Sequence, residues 1–211
     1  MLGSPPPMFP VEVPPGTTLE SLFLEVLPKA HALMVPKSAG TDRFVVVQEV
    51  RGHGTYTLDI RGADLVAREG AADKPDFWMT VTEETAQLFL DDWLGPRTLA
   101  PKTFPKDLIG ISDPRLLKRL SMVSAKAELA LTDVAGRRVS LVAASGGAAK
   151  KFIEPDDPDV VLEVTADTFL RLVDGSLPPE DAIAEGAVTV RGKRLLAMQY
   201  ALAFAPFYPK R

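Results

Sequence analysis

A 20-residue stretch of this 211-residue chain occurs twice, and the repetition constrains the fold more than any other feature. Residues 75–94 align without a gap with residues 158–177 at a constant offset of 83, and seven of the 20 pairs are identical. Chance would give about one identity over this length. Upstream, Thr57–Leu58 aligns with Ser140–Leu141 at the same offset. The chain is therefore predicted to contain one structural unit in two copies.

Each copy has the pattern of a hairpin, a third strand and a capped helix. Strands are predicted over 43–50, 55–60 and 76–81 in the first copy, and over 126–132, 137–143 and 159–164 in the second. Thr82 and Thr165 stand where helix N-caps are expected. This order predicts an α+β protein with a mostly antiparallel sheet, or two such sheets, and helices on one face. An apolar gap between the two layers would hold a ligand.

Composition excludes several kinds of chemistry. The chain has no cysteine and two histidines, His31 and His53, and a net charge of −4. Disulfides, thiolate catalysis and cysteine metal sites are thereby excluded, and no metal site, cofactor or nucleic-acid partner is expected. An enzyme is the least favoured hypothesis because cysteine is absent and histidine is scarce, although carboxylate acid–base catalysis needs neither residue type.

The chain divides into three predicted parts. Residues 1–16 form a proline-rich extended arm, 17–125 a divergent first repeat and 126–211 the second repeat, unless the repeats fuse into one domain. No stretch of about 18 apolar residues is present and no secretory signal is recognisable, so a cytoplasmic protein is expected. Asparagine is absent, which we interpret as the coding bias of a bacterial genome.

The second copy resembles the sterol carrier protein 2 family. The resemblance covers residues 159–198: a strand, a Thr-capped helix with Phe169 and Gly175, then Gly186, a β-branched strand and Gly192. The first copy departs from this pattern, since Asp92–Trp93 stands where the second copy has Gly175–Ser176. The chain therefore looks like a tandem or pseudo-duplicated member of that family.

The resemblance implies a non-catalytic protein that binds or transfers a fatty acid, sterol or other lipid in an apolar tunnel between sheet and helices. Each buried methylene of such a ligand contributes about 0.8 kcal/mol, so no charged anchor is required. Ordinary core packing is the alternative for each candidate lining residue. The candidates are Phe89, Leu90, Trp93, Phe169, Leu172, Val173, Leu196, Met198, Ala201, Leu202, Phe204 and Phe207.

A second hypothesis is an accessory or protein-interaction module whose pockets are filled by side chains. The basic segment 191–194 could make a transient contact with an acidic membrane surface, although a solvated turn is the preferred explanation. Two fused repeats are compatible with a monomer that contains its own two-fold partner, a pseudo-dimer, and a homodimer is the alternative.

Overall fold

The computed structural model of the chain describes residues 13–35, 41–94, 114–134, 136–149, 157–173 and 176–204. The elements of the first half are α1 (Leu19–Ser21), a π-helical segment (Leu22–Val26), α2 (Leu27–Met34), β1 (Arg43–Arg51), β2 (Gly54–Arg61), β3 (Asp64–Glu69), β4 (Phe77–Thr82) and α3 (Glu83–Leu94). The elements of the second half are α4 (Pro114–Leu120), β5 (Ala125–Val134), β6 (Arg137–Ser145), β7 (Val160–Thr165), α5 (Ala166–Val173), α6 (Pro179–Ala184), β8 (Val188–Gly192) and α7 (Arg194–Phe204).

The strands form one eight-stranded sheet in the order β3-β2-β1-β4-β6-β5-β7-β8. Five neighbouring pairs are antiparallel, whereas β1 with β4 and β5 with β7 are parallel. The predicted α+β class with a mostly antiparallel sheet is confirmed, and the two parallel pairs make that sheet mixed. The pairing of β4 with β6 joins the two halves of the chain.

Two groups of elements share one connectivity. In the first unit (β1, β2, β4 and α3), β1 pairs with β2 as a hairpin and lies parallel to β4. In the second unit (β5, β6, β7 and α5), β5 pairs with β6 as a hairpin and lies parallel to β7. Each parallel connection ends in a strand that leads directly into a helix. We propose that these matching units are the two copies of the sequence repeat.

A carboxylate begins the third strand of each unit with the same backbone contacts. The Asp76 carboxylate accepts a hydrogen bond from the backbone N–H of Val45 at 2.9 Å, and the Asp159 carboxylate accepts one from Lys126 at 3.0 Å. The N–H of each aspartate donates to the carbonyl of the same partner. These two aspartates, which occupy equivalent positions in the two units, thus fix where the parallel strands begin to pair.

The helices that follow are capped identically. The hydroxyl oxygen of Thr82 accepts the backbone N–H of Thr85 at 3.1 Å, and that of Thr165 accepts the N–H of Thr168 at 3.1 Å. Each contact satisfies a backbone donor that has no partner within its helix. Both N-caps expected from the sequence are therefore present.

The helices lie on one face of the sheet. Residues of α1, the π-helical segment and α4 share clusters with alternate residues of β1, β2 and β4, and residues of α5 and α6 pack against those of β5, β6, β7 and β8. The opposite face carries ion pairs between strands, such as Arg43 with Asp59 and Arg138 with Glu128. This alternation places most of the large apolar side chains on the helix-covered face and the ion pairs on the other.

Two features of the architecture differ from expectation, namely the strand β3 and the relation between the two units. The short edge strand β3 was not expected. Its residues are exposed or only partly buried, which explains why its apolar pattern is weak. The first helical run continues through Pro28 to Met34, and a π-type hydrogen bond from the N–H of Leu27 to the carbonyl of Leu22 precedes the proline. The two units also follow one another in the same direction across the sheet, so they are not related by the two-fold axis that a pseudo-dimer would have.

Candidate ligand-binding site

Strand register identifies the matching positions of the two units. Val46 lies opposite Leu58 on β2, and Ala127 lies opposite Ala143 on β6. Val46 also lies opposite Phe77 on β4, as Ala127 lies opposite Val160 on β7. Strand register therefore matches Leu58 with Ala143. The sequence alignment, with its constant offset of 83, instead matches Leu58 with Leu141, two residues earlier. A bulge between Leu131 and Val134 explains part of the longer second hairpin.

At most matching positions on the helix-covered face, the second unit carries the smaller side chain. The pairs, first unit before second, are Phe44/Ala125, Val46/Ala127, Tyr56/Leu141, Leu58/Ala143, Ile60/Ser145 and Phe77/Val160. Two pairs, Gln48/Leu129 and Val50/Leu131, go the other way. The helices of the second unit consequently face a sheet surface from which several bulky groups are missing.

Burial differs between the units in the same way. We use the name apolar floor for five partly exposed residues of the second unit, which are Ala127, Leu129, Leu141, Ala143 and Leu162. Their counterparts in the first unit are between 1% and 7% exposed, and they are Val46, Gln48, Tyr56, Leu58 and Met79. The first unit is thus filled at the positions where the second unit remains open.

Side chains of α3 and α5 stand around the apolar floor. Leu88 and Phe89 of α3, and Phe169 and Leu172 of α5, pack against the buried cluster at one end of the second unit. All four side chains are partly exposed. They are available as apolar walls for a molecule lying on the floor.

Tyr200 of α7 covers the other end of the floor. Its hydroxyl lies 2.9 Å from the Ser145 hydroxyl and 3.4 Å from the carbonyl oxygen of Ala125, and Ser145 donates to the carbonyl of Val123. Burial raises the pKa of the Tyr200 phenol, and the hydrogen bond with Ser145 partly opposes that shift. Tyr200 therefore acts as a neutral hydroxyl that holds α7 on the sheet.

The floor and these walls contain no ionisable side chain among the described residues. Contacts there are dispersion and apolar burial, which suit an uncharged hydrocarbon surface. The described residues also contain no group of three or more histidine, aspartate or glutamate side chains arranged to hold a metal ion.

The residues predicted from sequence are divided between several locations. Phe89, Phe169 and Leu172 are the wall residues described above, and Leu196 and Ala201 are partly exposed on α7. The side chains of Trp93, Val173 and Phe204, and the whole of Phe207, lie outside the described residues.

Three predicted lining residues do not reach the floor. Leu90 is 0% exposed and belongs to the core cluster with Val50 and Val81. Met198 and Leu202 are 57% and 66% exposed on the side of α7 opposite Ala197 and Ala203, which are buried. A helix that is apolar all round does not reveal which side faces the sheet, and this explains the expectation.

The floor residues themselves were missed. They lie at every second position of β5, β6 and β7, so strand alternation was the signal that marks them as one face. Their openness could not be read from one sequence, because it depends on what each strand residue faces across the sheet.

None of the described helices is long and apolar enough to cross a membrane. The fold and the open floor define an α+β protein with a helix-covered sheet and an accessible apolar surface. Residues 106–205 match the family model described as "SCP-2 sterol transfer family". Residues 106–205 are therefore SCP2-like, and the resemblance to this family found in residues 159–198 is confirmed.

Solved structures similar to this chain include three sterol carrier proteins. Sterol carrier protein 2 from Yarrowia lipolytica in its apo form is 18% identical, with a TM-score of 0.34, covering 46% of this chain and 79% of that chain. Domain 2 of the Helicoverpa armigera protein is 16% identical, with a TM-score of 0.37 and coverage of 50% and 83%. Sterol carrier protein 2 like 2 from Aedes aegypti is 19% identical, with a TM-score of 0.31 and coverage of 44% and 97%. Comparison with curated proteins gave no match.

Proposed function

We propose that this protein is a non-catalytic carrier that binds one hydrophobic ligand, such as a fatty acyl chain or a sterol, on the apolar floor of its second unit. The first unit serves as the structural partner of that site and binds no ligand. The match of residues 106–205 to the SCP-2 sterol transfer family supports lipid as the ligand class.

The observation that carries the proposal is the contrast between matching positions. If both units were filled by their own side chains, as an interaction module requires, matching positions would be equally buried. Instead, Val46 and Leu58 are buried, whereas Ala127 and Ala143 are partly exposed. Close-packed interiors leave few apolar voids, so an open apolar surface beneath helices supports a ligand site.

The energetics suit a long hydrocarbon. Burying about ten methylenes contributes about 8 kcal/mol before the costs of association are subtracted. A carboxylate buried on the floor would be unpaired, which is costly. We therefore expect the hydrocarbon part of the ligand to lie on the floor and any charged head group to remain in water.

The test is binding of a fluorescent fatty acid to the purified chain, with native mass spectrometry to detect retained lipid. The key variant, Ala127→Val with Ala143→Leu, places the first unit's residues on the floor. It should fold, as judged by circular dichroism, and lose binding by more than about tenfold, because the added methyl groups occupy the space of at least two ligand methylenes.

The control is Ala32→Leu, which adds the three carbons of the Ala143→Leu change at an exposed position of α2. This control should bind like the unaltered chain. Undiminished binding by the folded double variant, or the absence of binding by the unaltered chain, would refute the proposed site.

A further inference from the structure

The outer side of α7 carries an exposed apolar stripe. Leu195, Met198 and Leu202 are 69%, 57% and 66% exposed, and on an ideal helix they lie within about 60° of arc. Met122, just beyond the end of α4, is 75% exposed, and α4 packs against α7. These four are among the six large apolar side chains found exposed in the described part of the chain.

Basic residues accompany this stripe. Helices α4 and α7 contain four basic residues, Arg115, Lys118, Arg119 and Arg194, and no acidic one. Lys118 pairs with Asp42, whereas Arg119 and Arg194 are exposed and have no ion pair within the residues that the structure describes. Acidic residues are found on α6, which also packs against α7. An anionic partner is therefore expected to contact α4 and the first turn of α7 rather than α6.

We propose that α7 and the end of α4 form a docking surface for an anionic lipid membrane. Exposed apolar patches on soluble proteins mark interaction sites, and a helix that presents apolar side chains flanked by cations binds at the interface of anionic bilayers. A two-fold contact with a second copy would bring the same cations together, so charge complementarity favours a membrane over a dimer.

The position of α7 gives this surface a role. Its inner side places Tyr200 over one end of the apolar floor, through the contact with Ser145. Docking would therefore place the membrane beside the helix that borders the floor. Such docking would serve the exchange of ligand between membrane and floor. That role rests on the proposed function, whereas the docking surface itself does not.

The experiment is co-sedimentation of the full chain with vesicles of phosphatidylcholine alone or mixed with phosphatidylglycerol. We expect binding to the mixed vesicles that weakens as salt is added. Arg194→Gln should weaken it about fivefold, the effect of one cation near an anionic surface. The double variant Leu195→Ser with Met198→Ser should lose it by more than about tenfold.

The control is Leu33→Ser, which removes an equally large side chain that is 65% exposed on α2. It should leave vesicle binding unchanged. Equal losses in the control and the α7 variant, or no preference for anionic vesicles, would overturn the proposal. Self-association that disappears in the α7 variant would identify a second copy as the occupant instead.

Binding of the fluorescent fatty acid in the absence of vesicles separates this proposal from the preceding one. The α7 variant should retain it, because its altered side chains face away from the floor. If the unaltered chain binds vesicles but no fatty acid, the docking surface stands and the carrier function fails.

Discussion

Exchanging the residues at one matching pair should have opposite effects on stability in the two units. Leu58 on β2 is 7% exposed and packs in a core cluster with Phe44 and Ile60. Ala143 occupies the same place on β6 and is partly exposed. We predict that Leu58→Ala destabilises the chain strongly, whereas Ala143→Leu in the ligand-free chain does not destabilise it.

The magnitudes follow from the packing at each position. Leu58→Ala removes buried carbons and leaves a cavity, which costs about 2–5 kcal/mol. Ala143→Leu adds three carbons above an open floor, and full burial of them would stabilise the chain by about 2.4 kcal/mol. Since the new side chain remains partly exposed, we expect a gain of about 1 kcal/mol. In a filled core the same addition would cost about 1–3 kcal/mol through overpacking.

Urea denaturation of delipidated protein, followed by circular dichroism, measures both changes. The decisive quantity is the sign of the change for Ala143→Leu at an unaltered m-value. A loss of 1 kcal/mol or more in that variant would show that side chains already fill the space, and the open-floor argument would be wrong.

Two further predictions concern contacts that the units share. Thr82→Ala and Thr165→Ala should each lower the free energy of unfolding by about 1 kcal/mol, because each removes the same N-cap hydrogen bond; a loss from only one of them in urea titration would contradict the equivalence of the caps. The hydrogen bond from the Lys126 N–H, followed by the ion pair with Lys193, holds the pKa of Asp159 below its usual range. The stabilisation that the Asp159 carboxylate provides is therefore complete above the unfolded-state pKa of about 4. It is lost as pH falls through the lower pKa of the folded state. Asp159→Asn should melt at a lower temperature than the unaltered chain at pH 7, and this difference should shrink below about pH 4; a difference that persists undiminished into acid would exclude the carboxylate charge as its source.

Much of the fold was predictable because it depends on local chemistry. Threonine caps, aspartates at strand starts and alternating β-branched residues act over a few positions, and each was visible in the sequence. The edge strand β3 was missed because it has one neighbour in the sheet and none of its residues is buried, so its apolar pattern is weak.

The open floor escaped prediction for a different reason. At the constant offset of 83, Leu58 aligns with Leu141, two residues of equal size, and the repeat looks evenly packed. Strand register instead pairs Leu58 with Ala143. Because the second hairpin is longer, the sequence alignment does not show that a smaller side chain replaces Leu58. Only the strand pairing shows it.

A filled first unit explains how an open second unit can be tolerated. Empty apolar space lowers stability in proportion to its volume, and the net stability of a domain is only about 5–15 kcal/mol. The pairing of β4 with β6 makes the two units one sheet, and α3 contributes Leu90 to the first core and Phe89 to the wall of the floor. Because the units share a sheet and a helix, the second cannot unfold without disturbing the first. The aromatic core of the first unit, with Phe44 and Phe77, thereby offsets the cost of the open floor.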